Sequence, residues 1–302
     1  MVQGFGTRGS GVKILVLGAS GMLGNATVRV LSENPGWKVF GTVRSGNAHR
    51  FFSDQIRERL ITGVDVENHD ALVKAFTQIR PDVVINCIGL IKQLADGGDP
   101  LQAILINSTL PHRLAKLCDL ASARLVHIST DCVFSGIKGN YREDDPSDAK
   151  DLYGKSKFLG EVYYPHTITL RTSIIGHELQ SAHGLIGWFL SQQEQCKGFT
   201  KAVFSGFPTV VLARIIRDVV IPRPGLSGLF HVAARPISKY DLLKLVADIY
   251  GKPIEIIPDA SLVIDRSLNA DRFHTATGYV APEWPELIKV MHTYYQSSED
   301  KG

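Results

Sequence analysis

Cysteine is scarce and scattered. The 302 residues hold four, Cys87, Cys118, Cys132 and Cys196, with no Cys-x-x-Cys pair among them. That excludes a disulfide scaffold and a zinc module, and points to a reducing, cytoplasmic setting. Charge of one sign is lacking too: 33 Lys and Arg stand against 30 Asp and Glu, a formal net charge of +3. A nucleic-acid binder would need a concentrated basic field, so no such partner is expected. No apolar run reaches the about 18 residues of a membrane span. The start of the chain is glycine-rich and polar, without the apolar core of a secretion signal. The histidines show no ligand spacing beside Cys or Asp, so no metal is expected. There is no internal repeat and no low-complexity block. Apolar residues, by contrast, make up 44% of the chain, enough for a sizeable core in one large domain or two modest ones.

Residues 1–12 read as a flexible tail. After them short apolar runs alternate with helical stretches. Lys13–Leu17, Trp37–Val43, Asp82–Asn86, Arg124–Ser129 and Thr167–Arg171 read as strands. Leu23–Ser32, Asp70–Ile79, Leu101–Leu120 (despite Pro111) and Tyr153–Tyr163 read as helices. Such alternation predicts an α/β fold, a Rossmann doubly wound parallel sheet covered on both faces. Beyond about Thr172 the rhythm is irregular. Gly184–Gln193, Ala213–Val220 and Ser238–Tyr250 look helical and Gly228–Val232 looks like a strand. The expectation is a nucleotide-binding domain over 13–172 and a smaller C-terminal substrate-binding lobe over 173–302, partly interleaved with the sheet.

Gly18, Ser20, Gly21, Met22, Leu23 and Gly24 belong to a Gly-x-x-Gly-x-x-Gly turn between the first strand and the first helix. A strand-to-helix turn needs glycine torsions, a pyrophosphate needs the absence of side chains, and a helix start offers free N–H groups. In this context the motif predicts dinucleotide binding. A carboxylate about 20 residues further on would bind a ribose 2′-hydroxyl. That count from Gly24 reaches Arg44, and no Asp or Glu lies between Trp37 and Phe52. Arg44, helped by Ser45 or Arg50, suits a 2′-phosphate instead, so NADP(H) is preferred and NAD(H) allowed.

Tyr153 and Lys157 are four apart at the start of a predicted helix. The spacing stacks them on one face with a rise of about 6 Å. A tyrosine that trades a proton with a carbonyl must act far below its reference pKa of about 10. A neighbouring ammonium is the natural means. The pair follows Ser129-Thr130-Asp131 at a strand end, where the Thr130 hydroxyl can hold the substrate oxygen. Alone, Tyr-x-x-x-Lys is equally a plain helix turn, and Thr130 a turn hydroxyl.

With these segments the chain resembles the extended short-chain dehydrogenase/reductases, and within them the dTDP-4-dehydrorhamnose reductase group. The resemblance runs from Lys13 to about Met291 through Gly18–Gly24, Pro81–Gly89, Asn107, His127–Gly136, Tyr141–Asp144, Tyr153–Glu161, Leu170-Arg171, Gly206–Thr209, Gly228–His231 and Trp284. It implies that Thr130, Tyr153 and Lys157 carry catalysis and that Lys157 also holds the nicotinamide ribose. It places Asp65-Val66 at the adenine, and Cys87, Ile88 and Gly89 along the cofactor groove. The implied activity is NADPH-dependent reduction of a nucleotide-linked 4-keto-6-deoxy sugar, in deoxysugar or polysaccharide synthesis. It leaves homodimer assembly open.

Cys132 departs from the group, which usually has tyrosine there. Sugar-nucleotide 4,6-dehydratases carry a glutamate at that place, so dehydration is disfavoured. GDP-fucose synthase-like epimerase/reductases place a cysteine two residues after the catalytic hydroxyl and pair it with a histidine. His177 and His183 lie where that histidine would come, so an epimerase/reductase is one alternative. A non-catalytic NADP-binding regulatory subunit, like that of methionine adenosyltransferase, is another; the intact Thr130, Tyr153 and Lys157 argue against it. Arg171, Lys201, Arg214, Arg217 and Arg266 are candidates for the substrate diphosphate. Trp188, Phe204, Phe207 and Phe230 are candidates for its base, with core packing the default. Asn86 and Asn107 are candidates to support the cofactor turn and an active-site water, with structural hydrogen bonding the equal alternative.

Overall fold

The computed structural model of the chain describes residues 11–91, 98–180 and 182–299. Most of the expected tail therefore lies outside the described residues, and its last member, Val12, already begins the first strand. Strands β1 (Val12–Leu17), β2 (Trp37–Val43), β3 (Leu60–Thr62), β4 (Val83–Asn86), β5 (Arg124–Thr130) and β6 (Thr167–Thr172) join the strand Gly228–His231 in one sheet. Every pairing in it is parallel, and the order runs Gly228–His231, β6, β5, β4, β1, β2, β3. The connecting helices are α1 (Met22–Ser32), α2 (Asp54–Arg57), α3 (His69–Ile79), α4 (Pro100–Ala103), α5 (Leu110–Leu120) and α6 (Leu152–Leu159).

Both faces of the sheet are buried, which is why its strands read as unbroken apolar runs. Successive side chains point to opposite faces. Ile14 and Val16 pack with α1 and with residues of the later helices Thr209–Ile215, Lys239–Tyr250 and Trp284–Glu299. Leu15 and Leu17 pack on the other face with Leu72 of α3 and Leu114 of α5. The C-terminal half thus supplies one strand and much of one covering layer. It adds three small sheets: Phe207–Pro208 beside Ile174–Ile175, Gln195–Phe199 beside Glu255–Asp259, and Ala202–Phe204 between Ile237–Ser238 and Ile264–Asp265.

Two helices of the N-terminal half differ from expectation, each for a local reason, and the helix expected at Ala213–Val220 starts earlier, at Thr209, with Ile216–Val220 a π-turn. The stretch 100–120 is helical throughout, but Ile104–Thr109 widens into a π-turn just ahead of Pro111. The helix carrying Tyr153 ends at Leu159 rather than Tyr163. Gly160 follows, packed so closely under the π-turn that an added Cβ would lie 1.9 Å from the Asn107 carbonyl oxygen.

Candidate active site

The chain order reverses between β2 and β4, on either side of β1, and ligands of open parallel sheets lie in such a crevice at the strands' carboxyl ends. The glycine turn sits there. Gly18 has φ of +80°, in the left-handed region, and an added Cβ would stand 2.7 Å from Ile88. Its N–H donates to Thr42 Oγ1 at 3.2 Å, which ties the turn to β2. Helix α1 starts behind Gly21 with no side-chain cap and no acid in its first turn. Its first N–H groups and positive dipole end are therefore free for a diphosphate. Ser20 and Gly21 are exposed at the tip, while Leu23 is buried beneath it. The residues present fit a dinucleotide.

Gly24 lets the helix approach its strand: an added Cβ would meet the Gly18 carbonyl oxygen at 2.0 Å. Neither atom belongs to a movable side chain. Gly24→Ala is therefore expected to destabilise the protein by about 2–3 kcal/mol and to weaken dinucleotide binding, seen as a lower melting temperature and a raised Kd.

Further along the crevice, Arg44 is exposed beyond β2 and Asp65 is exposed beside buried Val66. Cys87 and Ile88 are half-buried after β4, and Gly89 is exposed. A Cβ on Gly89 would lie 3.7 Å from Asn107 Oδ1 and 3.8 Å from Lys157 Nζ. The cofactor wall and the lysine are thus immediate neighbours. Asn107, set in the π-turn, fastens them: its Oδ1 accepts from the Leu90 N–H at 2.8 Å, and its Nδ2 donates to the Leu90 carbonyl and to Ser156 Oγ. Asn86 bonds the Ile88 N–H and His127 in the same wall.

At the end of β5, Thr130 Oγ1 donates to Asp131 Oδ1 and accepts from the Cys132 N–H, both at 3.1 Å. Tyr153 lies in the first turn of α6, whose N-cap Asp151 accepts from the Gly154 N–H at 2.8 Å. A Cβ on Gly154 would lie 2.2 Å from the Cys132 carbonyl oxygen, so α6 rests directly on the turn after β5. That contact brings the Tyr153 phenol and the Thr130 side chain into hydrogen-bonding contact. Burial, helped by Cys132, Asp131 and Asp151, pushes the phenol upward. The resting tyrosine is neutral and holds its proton, the state of a donor; the expected downward pull from Lys157 is not among the leading influences on it. One turn on, Lys157 is 4% exposed and its Nζ donates to the Ile128 carbonyl at 2.8 Å. Burial brings its ammonium down to about 8, opposed chiefly by Glu161.

The remaining candidates separate. Cys132 is half-buried, and its sulfur receives a 3.7 Å contact from Arg266 NH1; the Arg266 Nε donates to the Phe134 carbonyl at 2.7 Å. Arg266 is thus a cation that the C-terminal half brings to the turn after β5. His177 bonds Tyr250 at 2.9 Å and stacks on Tyr295, and His183 is exposed. Arg171 is wholly buried against Glu161, and Arg217 pairs with Glu33 and Asp218, so neither offers itself to a diphosphate. Lys201 and Arg214 are exposed. Phe204, Phe207 and Phe230 belong to the core, while Trp188 is 39% exposed.

Two features escape the sequence reading. One is a cavity of about 300 Å³ beside α1, lined by Asn25, Arg29, His177 and Tyr294 among others. The other is the buried Glu161–Arg171 pair, whose only signal is a glutamate four residues after Lys157. Among the described residues no group of His, Cys, Asp or Glu gathers to hold a metal, and no helix is long and apolar enough to cross a membrane.

A doubly wound parallel sheet, with an uncapped helix start behind a glycine turn and a threonine, tyrosine and lysine at its carboxyl edge, defines the Rossmann-fold class. Within it, the chain belongs to the RmlD family: the family described as RmlD substrate binding domain matches residues 12–291. The chain is 27% identical to methionine adenosyltransferase 2 subunit beta of Xenopus tropicalis, over 80% of this chain and 73% of that protein. It is 28% identical to a probable low-salt glycan biosynthesis reductase of Haloferax volcanii, over 85% and 86%. The crystal structure of a dTDP-4-dehydrorhamnose reductase from Clostridium acetobutylicum shares its fold with a TM-score of 0.77, at 24% identity over 94% of this chain and 100% of that one.

Proposed function

We propose that the protein is an NADPH-dependent reductase of a nucleotide-linked 4-keto-6-deoxy sugar, acting in the cytoplasm, with residues 13–172 seating the cofactor and the C-terminal half the substrate. The observation that carries this reading is the contact of Tyr153 with Thr130 at the end of β5, with Lys157 beside Gly89 of the glycine-lined crevice. A reduced nicotinamide, when bound, supplies a hydride to the ketone carbon. Tyr153 then gives its proton to the oxygen that becomes the hydroxyl, and the phenolate left behind is reprotonated from solvent. Thr130 holds that oxygen. Lys157 fixes the ribose and offers positive charge to the phenolate as it forms. Arg266, beside the catalytic turn, is placed for the substrate's polar groups. The sugar class is supported by the family and by the reductase names among its relatives.

Arg44 is the intended contact for a 2′-phosphate. Arg44→Ser is expected to raise the Kd for NADPH about tenfold, the loss of one charge-assisted contact, and leave that for NADH unchanged. Titration of both cofactors checks it.

The test of function is a product-identified assay. The protein and NADPH are mixed with dTDP-, UDP- and GDP-linked 4-keto hexoses, and the absorbance of the reduced cofactor is followed. Oxidation with one of them supports the reading. Tight NADPH binding with no oxidation on any supports instead the regulatory reading, which the likeness to methionine adenosyltransferase 2 subunit beta favours. Solvent deuterium found at ring carbons beside the former ketone, and lost in Cys132→Ser, would add the epimerase step; the reductase reading needs no Cys132–histidine pair.

A further inference from the structure

Arg171 of β6 pairs in register with His231 on one side and Ser129 of β5 on the other. The three side chains therefore form one row across three strands. Over the row lies Glu161, two residues past the end of α6 and 3% exposed. Its Oε1 accepts from Ser129 Oγ and from Arg171 Nε, each at 2.7 Å; its Oε2 accepts from Arg171 NH2 at 2.6 Å and from the Tyr163 hydroxyl at 3.1 Å. The row continues outward. His231 Nδ1 faces the Tyr141 carbonyl at 3.0 Å, which can only accept, so Nδ1 carries the hydrogen and Nε2 receives Arg171 NH1 at 3.2 Å. Burial and Arg171 hold this imidazole down at about 3, so it is neutral. Beyond it, the His231 backbone N–H donates to Glu143, which stands 3.7 Å from Arg272.

We propose that Glu161 is a positioning residue for the reduction: clamped by Arg171 and Ser129, its carboxylate is the buried counter-charge of the Lys157 ammonium. The proposal rests on the reductase reading only for the use made of Lys157. Ser129 and Ile128 are adjacent on β5, so the strand that holds Glu161 is also the strand whose carbonyl receives Lys157 Nζ.

Four other groups around the amine supply no negative charge. Cys87, beyond β4, is a thiol pushed up to about 12 by burial. His127, on β5, is driven well below the usual imidazole range. Asn107, in the π-turn, is neutral, and so is Tyr153 on the same helix. Glu161 is left as the anion that favours the ammonium, partly offset by the cation of Arg171 behind it. A buried ion pair contributes little net stability compared with an apolar replacement. Four hydrogen bonds on one carboxylate do fix its position, and so the field at Lys157.

The test reads Lys157 directly. Lysine labelled with ¹³C at Cε is titrated by NMR in the full-length protein, with Lys157→Met assigning the resonance. Glu161→Gln is compared with the wild type. The double variant Glu161→Gln/Arg171→Met guards against a fold lost to an unpaired arginine. The Lys157 midpoint is expected to fall by about one pH unit in Glu161→Gln, and less in the double variant, which loses a cation as well. The alkaline limb of kcat/KM moves with it. An unchanged midpoint in the variants, with activity lowered equally at every pH, makes Glu161 a structural strut and overturns the proposal. A lowered midpoint in a protein that reduces no sugar nucleotide overturns the reductase reading instead, and leaves the Glu161–Lys157 pairing standing.

Discussion

Tyr153→Phe is expected to lower kcat for the keto sugar by about 10²- to 10⁴-fold with KM little changed, the span of a lost general acid. The substitution removes one oxygen and leaves the ring. Everything that seats the ring persists: the Asp151 cap on Gly154 and the contact of Gly154 with the turn after β5. What disappears is the proton beside Thr130. The phenol is neutral because burial, with Cys132, Asp131 and Asp151 beside it, opposes its ionisation. The same neighbours make the phenolate costly once the proton has gone, so rapid reprotonation is part of turnover. Steady-state rates with a reactive 4-keto sugar nucleotide, beside NADPH titration of the same variant, check this. If Tyr153→Phe kept activity within about tenfold of the wild type, another group or a water would be the donor, since one good general acid accounts for more than that.

How much of this was legible in the residues depends on the range of the interaction. Ile14–Leu17 and Val83–Ile85 announce themselves because a strand covered on both faces needs apolar residues throughout. Gly18, Gly21 and Gly24 are legible because each answers a local steric demand. Tyr153 and Lys157 are legible through helical spacing, and Thr130 through its place at a strand end. Pairings across long distances in the chain were not. Gln195–Phe199 pairs with Glu255–Asp259, about sixty residues on; the first alternates exposed and buried over five residues only, and the second has no fully buried residue to mark it. Arg171 reads as a free cation until Glu161 is seen against it. Its letter does not say which way the strand's pleat turns it, or that α6 stops at Gly160 and folds a carboxylate back over the sheet. His177 shows the same limit: its position beyond β6 suggests an acid/base partner for Cys132, while its ring is engaged by Tyr250 and Tyr295 from two distant helices.

Raising the pH through about 8 is expected to turn reduction off while making the fold more stable relative to a variant without the lysine. The opposite signs have one source. Lys157 in the folded chain loses its proton at about 8 because burial penalises the ammonium. A lysine in the unfolded chain holds its proton to about 10.4. The reduction uses the protonated amine, so kcat/KM falls about tenfold per pH unit above that point, to about a hundredth by pH 10. Tyr153 lies outside this window, since its phenol is pushed upward. Over the same window the unfolded state binds the extra proton, so stability increases with pH by about 1.4 kcal/mol per unit from this group alone, up to about 3 kcal/mol. Below pH 8 both states are protonated and the folded one bears the whole cost. Other groups titrate too, so the comparison is with Lys157→Met, by urea unfolding at each pH. The wild type should gain on the variant between about pH 8 and 10 as its activity declines. If wild-type activity and its stability relative to Lys157→Met declined together, the alkaline limb would report loss of the fold rather than of one buried proton, and Lys157 could not be the group that sets it.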